Sequence, residues 1–263
     1  MVNNHLMPIR CNRVVEPFVR IRIEQGRYTI KTVDSIAELE EVFRMRGEIF
    51  NEEYGLNRRP GSMDIDPFDF NCDHLVIKSR DTGECVGTYR MLCSTFTKDF
   101  YSETEFELSE FLLAPGIKLE LGRACIRKDH RRGAVISLLW RGIVQYALET
   151  RADYLFGCSS VKTESYSQSL LLSEAFSREG KLGAEWNIRP RGEFLFLPEE
   201  RSKLTENEVE IPSLLKSYLG AGARIYGEPA YDREFRCLDY LTILKLDELK
   251  SSFERRYRVD QSA

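Results

Sequence analysis

The chain has 263 residues, of which 42% are hydrophobic and 11% aromatic, enough apolar material to build a folded core. Its net charge of −4 argues against a general nucleic-acid-binding protein. No stretch approaches the ~20 apolar residues of a membrane span, and the start lacks the apolar run of a signal peptide. Seven widely spaced cysteines without metal-type spacing favour a reducing compartment. We therefore expect a cytoplasmic protein, with any contact to the inner membrane peripheral.

The first half of the chain alternates strand patterns with one clear helix. After an irregular start over residues 1–16, the predicted elements are strands at 18–23 and 28–33, a helix from 34 or 35 to about 50, a loop at 54–67, and strands at 73–80 and 85–93. Glu38 is placed to complete a capping box at the helix start. The turn Asp81-Thr82-Gly83 joins the last two strands into a hairpin.

The second half predicts a crossover unit and a mixed tail. Its elements are a short helix at 107–112, a strand at 119–126, a helix at 135–148, a strand at 153–159, a helix at 163–178, an extended segment at 186–197, an exposed acidic segment at 199–210, a helix at 211–219, strands at 224–226 and 235–246, and a helix at 247–257. A strand–helix–strand unit is parallel, whereas the hairpin is antiparallel. The sequence predicts a single α/β domain over residues 1–263. We expect a mixed, mostly antiparallel sheet with helices on both faces and a C-terminal α/β extension from about residue 195.

The stretch from Lys118 to Gly142 joins a strand, a basic turn and an apolar helix. Gly122 within the strand suggests a bulge, and Gly133-Ala134 opens the helix, so several backbone N–H groups are left to bind phosphate or another anion. Basic side chains surround the turn: Arg127, Lys128, His130, Arg131 and Arg132. They suit the phosphates of coenzyme A or the acidic surface of an acyl carrier protein, although a solvated basic turn is the alternative. With Glu120 and Arg123 just upstream, we hypothesise a site that transfers an acyl group from a phosphopantetheine arm.

Three carboxylates lie close together in the loop before the hairpin, at Asp64, Asp66 and Asp69. Their spacing does not fit a calcium loop, which needs a glycine and a distal glutamate. Two alternatives remain open, a solvated loop and a wall that binds an ammonium group. No metal site is predicted.

Several motifs carry a resemblance to known families. The glycine turn before the helix resembles the Gcn5-related N-acetyltransferase (GNAT) fold, with His130 at the usual Gln/Arg position of the signature. The segments RMRGEIFNEEYG, MDIDPFDFNCDHLVI, GTYRML and LELGRACI resemble the acyl-homoserine-lactone synthases. The strand motif LELGRAC, the helix motif LWRGI, the strand end GCSS and the tail from Pro212 to Leu241 more closely resemble ornithine-acyl-carrier-protein N-acyltransferases and N-acyl amino acid synthases, including hemolysin-type members. The resemblance covers about residues 28 to 257.

The resemblance implies an enzyme that moves a long fatty acyl chain from acyl carrier protein, or from acyl-CoA, to the α-amine of an amino acid. Ornithine and glycine are the leading acceptors, and the product would be an N-acyl amino acid or lyso-ornithine lipid. No permanently bound cofactor is implied. Two alternatives remain: a lactone synthase using S-adenosylmethionine, and a non-catalytic scaffold that binds acyl carrier protein or membrane.

The resemblance also assigns roles to residues. Glu120 would accept the amine proton and Arg123 would act beside it, although a purely structural Glu120–Arg123 ion pair is the alternative. The acceptor pocket would be ordered by Arg46, Asp66, Asp69 and Arg90. The donor side would comprise Cys125, Ile126, Arg127, Arg131, Arg132, Gly133, Ala134, Ser159 and Tyr166, with backbone N–H groups near Cys125 or Ile126 stabilising the oxyanion. Tyr166 or Ser165 would protonate the leaving thiolate. Cys125 and Cys158 are expected to fill the core rather than act as nucleophiles.

Overall fold

The computed structural model describes residues 15–131, 134–201 and 210–249. Its strands are β1 Arg22–Gln25, β2 Tyr28–Thr32, β3 Asp73–Ser79, β4 Cys85–Cys93, β5 Phe106–Glu107, β6 Lys118–Ile126, β7 Tyr154–Val161, β8 Arg189–Pro190, β9 Arg224–Ile225, β10 Ala230–Asp232 and β11 Cys237–Lys245. Its helices are α1 Ile36–Tyr54, α2 Ser109–Leu113, α3 Ala134–Thr150, α4 Tyr166–Arg178, α5 Pro198–Arg201 and α6 Ser213–Ala221. None of the described helices is long and apolar enough to cross a bilayer.

One large sheet organises the molecule. Its strand order is β1-β2-β3-β4-β6-β7-β11-β10, with β9 also paired to β11. The β6–β7 pair is parallel, as expected for strands joined through α3, and the other pairs in the sheet are antiparallel. The predicted mixed, mostly antiparallel sheet is confirmed. The C-terminal strand β11 lies inside this sheet, between β7 and β10.

Helices cover both faces of the sheet, as predicted. Alternate residues of a strand point to opposite faces. On β3, Leu75 and Ile77 pack in the same hydrophobic cluster as the α3 residues Trp140 and Tyr146. Val76, between them, packs with the buried side chains of α1 on the other face. The α1 face and the α3 face are named below by these helices.

Two neighbouring strands separate in the middle of the sheet. The parallel pairing of β6 with β7 begins at Lys118 and ends where Glu120 faces Phe156. At Gly157 the backbones approach closely, since a Cβ there would lie 2.3 Å from the carbonyl oxygen of Leu121. After this point β7 continues along β11 while β6 continues along β4, which opens a gap in the sheet.

A bulge lies on β6 beside the gap, and it differs in detail from the sequence expectation. Arg90 faces Gly122 and Thr88 faces Cys125, so two residues of β6 oppose one residue of β4. The left-handed backbone conformation is adopted by Arg123, with φ of 48°, and not by Gly122. A non-glycine residue in this region costs about 1–3 kcal/mol and is commonly found where function requires it.

Local signals predicted most elements well. The Ser35 hydroxyl caps α1 by accepting a hydrogen bond from the Glu38 amide at 3.3 Å, and the hairpin β3–β4 is confirmed. The extended segment predicted at 186–197 is wrong: it contains only the short β8 and a 3₁₀ turn at Gly192–Phe194. The predicted helix at 247–257 begins as a 3₁₀ turn at Leu246–Glu248, and its remainder lies outside the described residues, as does most of the acidic segment.

Candidate active site

A cavity of about 690 Å³ occupies the gap between β6 and β7. Because side chains alternate along a strand, the cavity receives different groups from the two faces of the sheet. Glu120 points to the α1 face, whereas its neighbours Leu119 and Leu121 pack on the α3 face. The charged lining comes from Arg90, Glu120, Arg123, Asp232 and Asp239, and from a second set near the basic turn: Glu52, Glu53, Lys128, Arg131 and Lys162. The apolar lining comes largely from Leu121, Leu139, Trp140, Ile143, Leu155, Leu214, Tyr218, Ala223 and Leu244.

A buried network of arginines and aspartates borders the charged side. Arg46 contacts Asp64 at 2.6 Å and Asp69 at 2.7 Å, and its side chain is fully buried. Asp66 receives Arg90 at 2.6 Å and Arg123 at 2.9 Å. The structure therefore brings together all the residues predicted to order the acceptor pocket.

The three loop carboxylates have a different role from either sequence alternative. Asp64 and Asp69 are buried, not solvated, and arginines occupy their oxygens, so they do not form an ammonium-binding wall. Burial alone would raise the pKa of Asp66, but Arg90 and Arg123 outweigh it and lower that pKa to about 2. Asp66 therefore remains ionised throughout the physiological pH range.

Glu120 is held in a cradle of hydrogen-bond donors. Its carboxylate accepts bonds from the Tyr101 amide at 2.8 Å, from the Ser102 amide at 2.6 Å and from the Ser102 hydroxyl. The Glu120–Arg123 ion pair, which was the structural alternative for Glu120, is not found among the described residues, because Arg123 turns toward Asp66 and Asp64 instead. Burial raises the pKa of Glu120 despite these bonds and the charge of Arg90. Glu120 lines the cavity where the β6–β7 pairing ends.

The basic turn is paired with the acidic side of α1. Arg127 contacts Glu48 at 3.4 Å and Lys128 contacts Glu52 at 3.8 Å. Arg131 pairs with Glu53 and also lines the cavity. Arg132 and Gly133 lie outside the described residues, and the side chain of Ala134 at the start of α3 is not described. The predicted anion cradle at Gly133 therefore stays a prediction.

The remaining donor-side residues divide into two groups. Cys125, Ile126 and Ser159 line the cavity. Tyr166 is not among the described cavity residues, and its ring packs edge-on against Phe196 at 5.2 Å between centroids, which gives no support to a role in protonating the thiolate. Burial raises the pKa of both Cys125 and Cys158 well above the ordinary thiol value, so neither is a ready thiolate nucleophile.

Sequence reasoning missed a second acidic group. Glu105, Asp232 and Asp239 are all buried, and the latter two line the cavity. Burial raises the pKa of Asp239 to about 6, and the charge of Asp232 adds to this effect. The hydrogen bond from Ser160 opposes it. In the sequence, Asp239 could have been recognised as a carboxylate in the middle of the apolar run of β11.

Comparisons with known proteins identify the family and the fold. Residues 45–141 match the model of the acetyltransferase (GNAT) domain family. The chain is 30% identical to L-ornithine N(alpha)-acyltransferase of Rhizobium meliloti (strain 1021) over 86% of this chain and 82% of the relative. It is 26% identical to the enzyme of the same name from Brucella abortus (strain 2308), over 88% and 89%. The acyl-homoserine-lactone synthase LasI shares the fold with a TM-score of 0.51 at 13% identity, covering 92% of this chain and all of that one.

The fold and the site define a GNAT-type, amide-forming acyltransferase. The chain belongs to the family of the L-ornithine N(alpha)-acyltransferases, as its match to the Rhizobium meliloti enzyme over most of both chains shows.

Proposed function

We propose that this protein transfers a long fatty acyl chain from the phosphopantetheine arm of acyl carrier protein to the α-amine of L-ornithine, giving lyso-ornithine lipid. The observation that carries the proposal is the cavity that crosses the sheet, with charged groups on the α1 face and apolar side chains on the α3 face. Such a cavity accommodates a charged amino acid and an acyl chain on opposite sides of one reaction centre. The identity of the acceptor is carried over from the relatives named for ornithine.

In the proposed reaction the α-amine nitrogen attacks the thioester carbonyl, a C–N bond forms, and the C–S bond breaks to release the thiol. Glu120, directly or through a water molecule, takes the proton lost by the amine. Its raised pKa suits this task, since a more basic carboxylate is a better proton acceptor. Backbone N–H groups of β6 beyond Glu120, where no pairing with β7 continues, stabilise the oxyanion.

The acyl carrier protein approaches from the basic turn. Arg127 and Arg131 are part-exposed at the mouth of this region, and both are paired with glutamates of α1. Pairs at such exposed positions contribute only about 0–1 kcal/mol, so the arginines can exchange partners at little cost. Acidic helices of a carrier protein supply suitable partners. The reaction takes place in the cytoplasm, and any membrane contact is peripheral.

The proposal is tested by incubating purified protein with an acyl carrier protein loaded with a long-chain acyl group and with L-ornithine. We expect an N-acyl-ornithine detectable by mass spectrometry, with one thiol released per amide formed. Parallel reactions with acyl-CoA, glycine and S-adenosylmethionine distinguish the other donor and acceptors. Formation of an acyl lactone, or of no amide from any amino acid, would refute the proposal.

A further inference from the structure

Arg90 lines the cavity, and one edge of its guanidinium has no hydrogen-bond partner among the described residues. Its side chain is only 1% exposed, and its Nη1 is held by both oxygens of Asp66 at 2.6 Å. Its Nε and Nη2 have no hydrogen-bond partner among the described residues. These two nitrogens form the side of a guanidinium that binds a carboxylate through two parallel hydrogen bonds. A buried donor pair without a partner is costly, so this edge is suited to a ligand.

Gly122 lies directly beside that edge. A Cβ built at Gly122 would lie 3.6 Å from Nη2 and 3.7 Å from Nε of Arg90, in ordinary van der Waals contact. Both residues line the cavity. An alanine at this position would therefore cover the open edge without displacing Arg90.

The buried acidic group of Glu105, Asp232 and Asp239 lies at the other end of the charged side of the cavity. The nearest ligand atoms of Asp232, Cys237 and Asp239 lie within 4.8 Å of one another. Glu105 is completely buried, and neither of its oxygens makes a hydrogen bond of normal geometry within the described chain. The cation facing this group is Arg123, which is already bound to Asp66. Three carboxyl groups thus share a buried site, where burial raises the pKa of each and a bound ammonium group would favour their ionised forms.

The two ends are close together because both flank one ring. The Arg90 guanidinium lies 5.3 Å from the centroid of Tyr101, and burial together with the charges of Glu105 and Asp239 raises the pKa of the Tyr101 hydroxyl. An ammonium group suits the acidic end better than a metal ion. A metal would require the Cys237 thiol as an ionised ligand, whereas burial raises the pKa of that thiol.

From these two ends we propose that the site selects dibasic amino acids: Arg90 Nε and Nη2 bind the α-carboxylate of the acceptor, and Asp239 with Asp232, which both line the cavity, binds its side-chain ammonium. This assignment rests on the proposed function and names the residues that choose its acceptor. The α-amine, between the two bound groups, is left free to attack the thioester. Neutral amino acids would leave the buried carboxylates without a cation and would be rejected.

Equilibrium binding without acyl donor tests the assignment, so a failure of catalysis cannot be mistaken for a failure of recognition. The probes are L-ornithine, L-norvaline, which lacks the side-chain amine, and 1,4-diaminobutane, which lacks the carboxylate. By isothermal titration calorimetry, the wild-type protein should bind ornithine at least about 30-fold more tightly than either analogue, as expected for loss of one partner of a buried charge pair.

Each of two variants should remove one half of this preference for ornithine. Asp239→Asn should weaken ornithine binding to the level of norvaline while leaving norvaline binding unchanged. Gly122→Ala should weaken ornithine binding to the level of 1,4-diaminobutane while leaving the diamine unchanged. Asp81→Asn, at an exposed acidic position outside the cavity, serves as the control and should behave as wild type.

Circular dichroism and melting temperature identify any variant that fails to fold, in which case Asp232→Asn, also at the cavity lining, replaces Asp239→Asn. Equal binding of ornithine and norvaline to the wild type, or an ornithine preference that survives in a folded carboxylate variant, would overturn the ammonium site. A diamine that binds as tightly as ornithine would overturn the role of Arg90.

Discussion

At the scale of single residues, the buried arginines of the site differ in how completely they are paired. Arg46 is fully buried and matched by Asp64 and Asp69, so removal of that arginine would leave two buried aspartates without their main partner. Breaking such a pair typically costs about 3–5 kcal/mol. Arg90, by contrast, has one satisfied nitrogen and an open edge. The first arrangement stabilises the loop, and the second is available to a ligand.

Glu120 combines a structural and a catalytic role in our proposal, and replacement by glutamine separates them. Glu120→Gln should lower kcat by about 10²–10⁴ at neutral pH if the carboxylate accepts the proton. Because the amide NH₂ would face a backbone N–H of Tyr101 or Ser102, the variant should also lose about 1–3 kcal/mol of stability. The rate should recover partly as pH rises, since the amine then arrives deprotonated.

The control for this change is Ser102→Ala, which removes one donor of the cradle and keeps the carboxylate. It should lower the melting temperature and, because the Ser102 hydroxyl lowers the pKa of Glu120, move the acid limb of the pH–rate profile to higher pH while activity is retained. If Glu120→Gln and Ser102→Ala both keep the wild-type profile, Glu120 is a structural residue only. Melting curves and pH–rate profiles on the same preparations provide both measurements.

At the scale of elements, α1 and the basic turn after β6 form one charged surface. The last turns of α1 supply Glu48, Glu52 and Glu53, which face Arg127, Lys128 and Arg131 respectively. In the sequence the turn is a basic patch, whereas in the structure acids of α1 already contact its cations. A carrier protein must therefore compete with α1 for these cations.

Arg131→Gln tests whether this surface receives the carrier protein. The substitution removes the ion-pair partner of Glu53 and changes the local net charge from neutral to negative. We expect the KM for acyl carrier protein to rise at low salt and its dependence on ionic strength to flatten, because exposed charges mainly steer the encounter. The control is Arg178→Gln, which breaks an exposed pair with Glu174 on α4. Unchanged carrier-protein kinetics in Arg131→Gln at low salt would exclude this turn from the docking surface.

At the scale of the whole molecule, the gap in the sheet joins two environments in one cavity. The α3 face contributes an apolar compartment closed by α6, where Leu214 is half-buried and Tyr218 hydrogen-bonds through its hydroxyl to Tyr89 at 2.6 Å. The α1 face contributes the charged compartment. An acyl chain in the apolar compartment would be removed from water over its length, with about 0.8 kcal/mol gained per buried CH₂.

Leu214→Trp should shorten the acyl chain that the enzyme prefers. The larger side chain reduces the apolar compartment from a half-buried position, so the fold should tolerate it. We expect kcat/KM to fall for the longest acyl donors and to change little for shorter ones, measured across a series of acyl carrier protein thioesters. Leu170→Trp, at an exposed site on α4 outside the cavity, is the matched control. An unaltered chain-length profile in Leu214→Trp would place the acyl chain elsewhere.

The sequence by itself determined the elements whose signals are local. The β3–β4 hairpin follows from its Asp-Thr-Gly turn, α1 from the Ser35 cap, and the β6–α3–β7 crossover from a change of hydrophobic period. The resemblance added the residues of the arginine–aspartate network, which the structure brings together. These signals depend on neighbours within a few residues, so they survive without tertiary information.

Only the tertiary structure decided which charges meet. The partners of Glu120 come from a 3₁₀ turn 18 and 19 residues away, and the acidic group joins Glu105 to carboxylates on β10 and β11. The left-handed Arg123 results from a mismatch between β4 and β6, which no single strand encodes. Burial is likewise a property of the packed molecule, and it raises the pKa of Asp239 to about 6.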